Sequence, residues 1–249
     1  MANFLPLKKY IFFCIDKLIN ELKLNGPFLD LGCGIGDLSY YLSLKGWQGL
    51  AIDSSRDAIV EAKSRLINLP QVTVEHKSLA QVDGKFNTVF CLDVLEHIKD
   101  DLSALKHIYN LVLPEGYLVI SVPSNPKEWR WDDTFYGHYR RYSKIELKEK
   151  LSSCGFTPLV FWDFTYPVSW IMRRIYCNIK PAVKFFADQQ QCNSQKSSLH
   201  SAWRLAWVTR IVSGIPLPWN LLYRLQFLYF KNMVEKGHEM IVVARRKGY

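Results

Sequence analysis

A chain of 249 residues, 49% of them hydrophobic and 22% charged, holds enough apolar material for one sizeable core, which excludes a disordered or fibrous protein. The net charge of +9 would attract anionic lipid, nucleic acid or a phosphorylated substrate, without choosing among them. The six cysteines, Cys14, Cys33, Cys91, Cys154, Cys177 and Cys192, show no metal-ligand or redox spacing. They read as reduced core thiols of a cytosolic protein, with no metal site expected.

The start, Phe4 to Lys23, places Lys8-Lys9 before Ile11-Phe12-Phe13, as a signal peptide would. Asp16 and Lys17 interrupt the apolar run, however, and no small-residue cleavage site follows. Ile11, Ile15, Leu18, Ile19 and Leu22 instead share one helical face, so residues 1–26 are expected to form an amphipathic helix on the domain edge. No uninterrupted apolar run reaches the length of about 18 residues needed to suggest a membrane-spanning helix.

From 27 to 163 short apolar runs alternate with segments of helical period. Strands are expected at Pro27–Leu31, Leu50–Asp53, Val72–Val74, Thr88–Leu92, Tyr117–Val122 and Leu159–Trp162. Helices are expected at Leu38–Leu44, Arg56–Leu66, Leu102–Val112 and Lys144–Ser153, the last between Ser143 as N-cap and Gly155 as stop. Residues 164–237 break this rhythm. Trp170, Trp203, Trp207 and Trp219 alternate there with Arg173, Arg174, Arg204, Arg210 and Arg224, and a polar stretch from Gln189 to Ser198 divides them. Pro216 and Pro218 prevent one long helix, leaving short amphipathic pieces. A last strand, Met240–Ala244, lies within 238–246, ahead of the basic Arg245-Arg246-Lys247. The whole reads as one doubly wound α/β domain, with a mostly parallel seven-stranded sheet and a helical insertion before the last strand.

The chemistry concentrates at strand ends. Phe28-Leu29-Asp30-Leu31 runs into Gly32-Cys33-Gly34-Ile35-Gly36, where glycines let the backbone approach a ligand and the following helix N-terminus offers free N–H groups. Asp37 stands where a dinucleotide fold needs its third glycine, and no Gly-Lys-Ser/Thr of a P-loop follows. Asp53 closes the next strand, where a carboxylate can accept both hydroxyls of a ribose, or simply cap the following helix. Strand Phe86–Leu92 empties into Asp93-Val94-Leu95-Glu96-His97, facing the same crevice.

Taken together, these segments resemble the class I S-adenosylmethionine-dependent methyltransferases, in particular the subgroup of ubiquinone-pathway and other small-molecule enzymes. Asp30 to Gly36 is similar to that family's first motif, Asp53 to its ribose-binding acid, Leu92 to Ile98 to its fourth-strand motif, and Leu113 to Leu118 to the turn before its fifth strand. The resemblance implies a Rossmann-like fold binding S-adenosylmethionine and releasing S-adenosylhomocysteine. Its cofactor residues would be Asp30, Gly32, Cys33, Gly34, Gly36, Asp53, Ser54, Asp93 and Val94. Two departures stand out. Asn87 follows Phe86 where the family has Phe-Asp, and Lys77-Ser78-Leu79-Ala80 replaces an acidic adenine contact, which passes to the backbone of Ser78 and Leu79.

Methyl transfer requires mainly an acceptor held in line with the bond that breaks, and a base if the acceptor is a hydroxyl. His97 and His138 are the candidates. His97 could equally be a packed or capping residue, and His138 could sit in a solvated loop. In Gly137-His138-Tyr139-Arg140-Arg141-Tyr142-Ser143 we expect His138 near the acceptor, with Tyr139, Arg140 and Arg141 contacting substrate. The expected function is methylation, at oxygen, of a small-molecule or lipid-linked acceptor in the cytoplasm. The 164–237 insertion would cap the site and touch the inner membrane face as a peripheral element. Methylation of nucleic acid, with Ser124-Asn125-Pro126 ending the fifth strand, and a non-catalytic membrane-associated cofactor-binding protein are the alternatives. The oligomeric state is not legible.

Overall fold

The computed structural model describes residues 6–179 and 218–248. The expected Gln189–Ser198 stretch, Trp203, Trp207, Arg204, Arg210, Pro216 and Cys192 lie outside the described residues.

The chain runs α1 (Pro6–Leu22), β1 (Phe28–Leu31), α2 (Asp37–Leu44), β2 (Gly49–Asp53), α3 (Arg56–Leu66), β3 (Val72–His76), β4 (Phe86–Leu92), α4 (Asp101–Leu111), β5 (Val112–Pro123), α5 (Trp131–Tyr136), α6 (Lys144–Ser153), β6 (Phe156–Asp163), α7 (Val168–Ile179), α8 (Trp219–Phe230) and β7 (Glu239–Arg246). The seven strands form one sheet in the order β3-β2-β1-β4-β5-β7-β6. Only β7 is antiparallel, pairing Val119 with Val243 on one side and Val243 with Val160 on the other. The doubly wound, seven-stranded expectation is met.

Both faces of the sheet are buried, and the side-chain alternation of a strand sorts its residues between two apolar layers. Leu29, Val89, Cys91, Leu118, Ile120, Val122 and Val242 point to the layer of α4 and α6. Phe28, Phe90, Val119, Ile241 and Val243 point to the opposite layer, shared with α1, α2 and α8. The N-terminal helix does more than cover an edge. Its Tyr10 meets Tyr223 of α8 at 5.3 Å between ring centroids, and Phe13 meets Phe227 edge-on at 5.8 Å.

Local chemistry sets the boundaries. Ser143 caps α6 by accepting from Glu146 N, as expected, while α3 is capped by Ser55 and not by Asp53. The expected helix Leu102–Val112 ends one residue early, because Val112 opens β5 opposite Phe86. The partner register then jumps to Tyr117 opposite Thr88, and Glu115 takes a left-handed φ of 64° inside this bulge. Asn87 finds its reason here too. Its Nδ2 donates to Gly26 O at 2.6 Å and Asn25 Oδ1 at 3.0 Å, pinning the entry to β1 with N–H groups that an aspartate lacks.

Because β7 runs backwards, the insertion leaves β6 and returns to β7 at the same end of the sheet. Its two feet are clasped together. Asp163 accepts from Thr165 N and Tyr166 N at 2.7 and 2.6 Å, and Thr165 Oγ1 accepts from His238 N at 2.9 Å. Burial pushes the Asp163 carboxyl up to about 7, against these hydrogen bonds.

Candidate active site

The carboxyl ends of β1, β2, β4 and β5, the start of β7 and both described insertion helices enclose a cavity of about 1170 Å³. That exceeds the range of about 300–1,000 Å³ typical of a single small-molecule cleft, leaving room for a cofactor and an acceptor side by side.

The β1 turn forms one wall. Gly32 N and Cys33 N both donate to Ile52 O, at 2.9 and 2.8 Å, which fastens the turn to β2. Gly34 lies at φ 53°, a left-handed conformation that a Cβ penalises. Its N–H donates to Asp53 Oδ2 at 2.9 Å, while Asp53 Oδ1 accepts from Ser55 N at 2.7 Å. Each carboxylate oxygen thus keeps a second lone pair for a ligand. A Cβ on Gly32 would fall 2.3 Å from Val94 Cγ2, so the turn and the β4 loop close on each other only through glycine. Gly36 serves packing instead. A Cβ there would meet Leu66 and Ala62 of α3 at 3.1 and 3.2 Å, and the residue does not line the cavity.

Asp30, Cys33, Ser54, Ser78, Leu79, Asp93 and Val94 all reach the cavity wall. Asp30 accepts from Ser39 Oγ at 2.6 Å, and burial raises its carboxyl to about 6. Burial also lifts the Cys33 thiol, strengthened by Asp30 and Asp53, so it stays protonated and inert. Ser78 spends its N–H and hydroxyl on Gln81 Oε1, at 2.9 and 3.0 Å, within its own turn.

The β4 end carries a non-glycine residue in the left-handed region. Asp93 adopts φ 54° and accepts from Ser121 Oγ at 2.6 Å. It is exposed, and its open surface faces the cavity. Glu96 and Glu239 line the same wall, and burial, reinforced by the charge of Asp93, raises both well above the usual carboxylate range. Glu96 Oε2 has no hydrogen-bond partner. Such a cluster would gain from a cation placed among it.

Both candidate bases are present. The His97 and His138 rings meet edge-on at 4.9 Å between centroids and line the cavity. Burial, then the neighbouring His138, lowers His97 to about 4, and its Nδ1 is buried without a partner. His138 follows Gly137, which ends α5 at φ 80°. Its backbone N–H donates to Asp133 O at 2.9 Å, and its Nδ1 lies 3.0 Å from Asp133 Oδ1. No metal ligands were expected from sequence, but Glu96, His97 and His138 bring one ligand atom each within 4.8 Å of one another, a spacing that would admit one divalent cation.

The three expected substrate contacts part company. Tyr139 and Arg140 stay outside the cavity wall. Arg140 spends its guanidinium on Lys99 O at 2.5 Å and Asp101 at 3.0 Å, beside Lys150 and Tyr142. Arg141 lines the cavity but is buried, bound to Ser124 O, His238 O and Asp133 at 2.9, 2.8 and 2.7 Å. Sequence reasoning missed Asp132 and Asp133, which also line the cavity, and their clamp Arg173 on α7, with contacts of 2.6 and 2.9 Å. Asp133 lies five residues before His138 across a glycine-terminated turn, a local signal that was available. Arg173 carried none.

The insertion and α1 supply the apolar side, with Tyr10, Phe12, Met172, Tyr176, Trp219 and Phe230. Asn125, at the end of β5, gives its amide to Glu235 O and accepts from Lys127 N, at 2.8 and 3.2 Å, and does not line the cavity.

Comparison with known proteins bears on this arrangement. A family model described as "Methyltransferase domain" matches residues 7–159. A ubiquinone biosynthesis O-methyltransferase from Azotobacter vinelandii is 31% identical over 136 residues, covering 51% of this chain and 58% of the relative. The chain therefore spans less than two thirds of that relative's length. Magnesium protoporphyrin IX methyltransferase from Synechocystis PCC 6803, solved with bound SAM, shares the fold at TM-score 0.55 and 18% identity, covering 97% of this chain and 80% of its own. So does the [4+2]-cyclase SpnF, at TM-score 0.57 and 19% identity over 94% and 80% of the two chains. The fold alone therefore does not fix the reaction.

Proposed function

The chain belongs to the methyltransferase-domain family, and on that premise we propose that it methylates the hydroxyl of a small-molecule or lipid-linked acceptor, using S-adenosylmethionine and releasing S-adenosylhomocysteine. The observation that carries the reading is one cavity into which the glycine turn, Asp53 and His138 all open. The cofactor would supply an electrophilic methyl group on a cationic sulfur, which leaves with the C–S electron pair. Asp53 binds the ribose hydroxyls with its remaining lone pairs. Asp30 and Asp93 present negative charge to the amino and sulfonium groups, and a bound cation in turn favours their ionised forms. The Leu79 backbone, beside Ser78 and Ala80, faces the adenine. His138 removes the acceptor's proton as the oxygen electron pair forms the new bond, and later returns that proton to solvent. His97, lowered to about 4, is neutral at working pH and packs beside the base.

Asp53→Ala tests the cofactor half. The variant loses two charge-assisted hydrogen bonds, each worth about 1.5–3 kcal/mol, so titration calorimetry should show affinity for S-adenosylhomocysteine falling at least about 10²-fold. Unchanged affinity sinks the ribose assignment. Conversion of S-adenosylmethionine in the presence of phenolic or lipid-linked acceptors separates methyl transfer from the cyclase-like or non-catalytic alternatives. Methylation of nucleic acid finds no support at Asn125, whose amide is spent.

The lipid-linked choice rests on the apolar wall and on the outer surface of the insertion. Ile171 and Ile175 of α7 and Leu221, Leu228 and Tyr229 of α8 are exposed and lie outside the cavity wall. No described helix is long and apolar enough to cross a membrane. This arrangement suits an element lying at a lipid surface. The five described cysteines are free and buried, which suits a reducing compartment and hence the inner face. In liposome flotation, binding should rise with anionic lipid by about 1 kcal/mol per basic residue near the surface and weaken in high salt. A protein that stays at the bottom of the gradient for every lipid mixture overturns this part.

A further inference from the structure

From the geometry around α5 we infer that Asp133 is the positioning residue of the site: it holds the proton of His138 on Nδ1 and so keeps Nε2 bare toward the acceptor. This rests on the reading of His138 as the base.

Asp133 is almost completely buried, and both carboxylate oxygens are held. Oδ2 accepts from Arg130 N at 2.8 Å and from Arg173 at 2.9 Å. Oδ1 meets Arg141 at 2.7 Å and His138 Nδ1 at 3.0 Å. Two guanidiniums and a backbone N–H all donate to this carboxylate, the surroundings of an ionised, purely accepting group. An ionised carboxylate can only accept, so the 3.0 Å contact places the hydrogen on Nδ1. Neutral imidazole carries one hydrogen, and Nε2 is then the free lone pair.

The support is built from three directions. Gly137 turns the chain so that the His138 N–H returns to Asp133 O, tying backbone and ring to one residue. Arg141 comes from the segment between α5 and α6. Arg173 comes from α7, where it also grips Asp132 through Nε at 2.8 Å and Nη2 at 2.6 Å. The insertion therefore helps fix the orientation of the base, besides forming part of the cavity wall.

The test is the ring nitrogen spectrum of ¹⁵N-histidine protein bound to S-adenosylhomocysteine, with chelator present and His138 assigned through its loss in His138→Ala. The expected pattern is a protonated Nδ1 and an unprotonated Nε2. A protonated Nε2 in the neutral ring overturns the inference even if the protein is an active methyltransferase. Inactivity with the expected tautomer instead counts against His138 as base. Asp133→Asn should mix the tautomers and lower kcat at least about 10²-fold, with cofactor affinity within about two-fold. A folded Asn variant with unchanged tautomer and kcat also overturns it. Should that variant fail to fold, the parent spectrum decides alone.

Discussion

Gly34→Val should abolish cofactor binding while the fold persists. At φ 53° a β-branched side chain is strained by more than the roughly 1–2 kcal/mol per residue that the left-handed region costs. The residue also lines the cavity directly beside Asp53, to which its N–H is bonded. The valine therefore distorts the turn, loosens the carboxylate and fills the space a ligand needs. Together these terms exceed about 3 kcal/mol, a loss of more than about 10²-fold in affinity. Calorimetry with S-adenosylhomocysteine and far-ultraviolet circular dichroism on the same sample read the two halves. Normal binding by a folded valine variant would make the turn a structural device only.

His138→Ala should slow methyl transfer by about 10²–10⁴-fold, the usual cost of losing a positioned base, and leave cofactor affinity nearly unchanged. The asymmetry follows from placement. His138 is held by Asp133 on α5, whereas the ribose acid and glycine turn stand at the ends of β1 and β2. Deleting the ring also leaves Asp133 with its two arginines and the Arg130 amide, so the carboxylate stays paired and the fold is expected to hold. Single-turnover rates measured beside the dissociation constant separate the steps. Equal turnover in variant and parent returns His138 to a structural role and leaves His97 to be tested next.

What the sequence disclosed depended on the range of the interactions involved. Asp30, Gly34 and Asp53 were legible because strand ends, turns and the following helix are set within a few neighbouring residues. All three reach the cavity wall. Gly36 belongs to the same pattern but packs against α3, a contact that no local spacing announces. Arg140 and Arg141 are adjacent and chemically identical in sequence. Tertiary pairing sends one to Asp101 and the other to Asp133. The start of β5 was misjudged because Val112 completes a helical pattern and also pairs with Phe86, a choice made by the sheet and not by propensity. Arg173, Asp132 and Asp133 unite residues about forty positions apart, and only the folded insertion brings them together.

The position of β7 has a consequence for how the chain acquires its shape. Among the described residues β6 has no sheet neighbour except β7, and β7 fills the slot between β5 and β6. On a ribosome, β6 emerges first and waits, unpaired, for the whole insertion to be made before Glu239–Arg246 arrives. Until then β5 and β6 both present open edges, the kind of surface that recruits other chains. Completion of the sheet is thus a late, long-range closure, slow by the measure of loop entropy. The insertion that shapes the site also governs the interval during which the nascent protein is most exposed to aggregation.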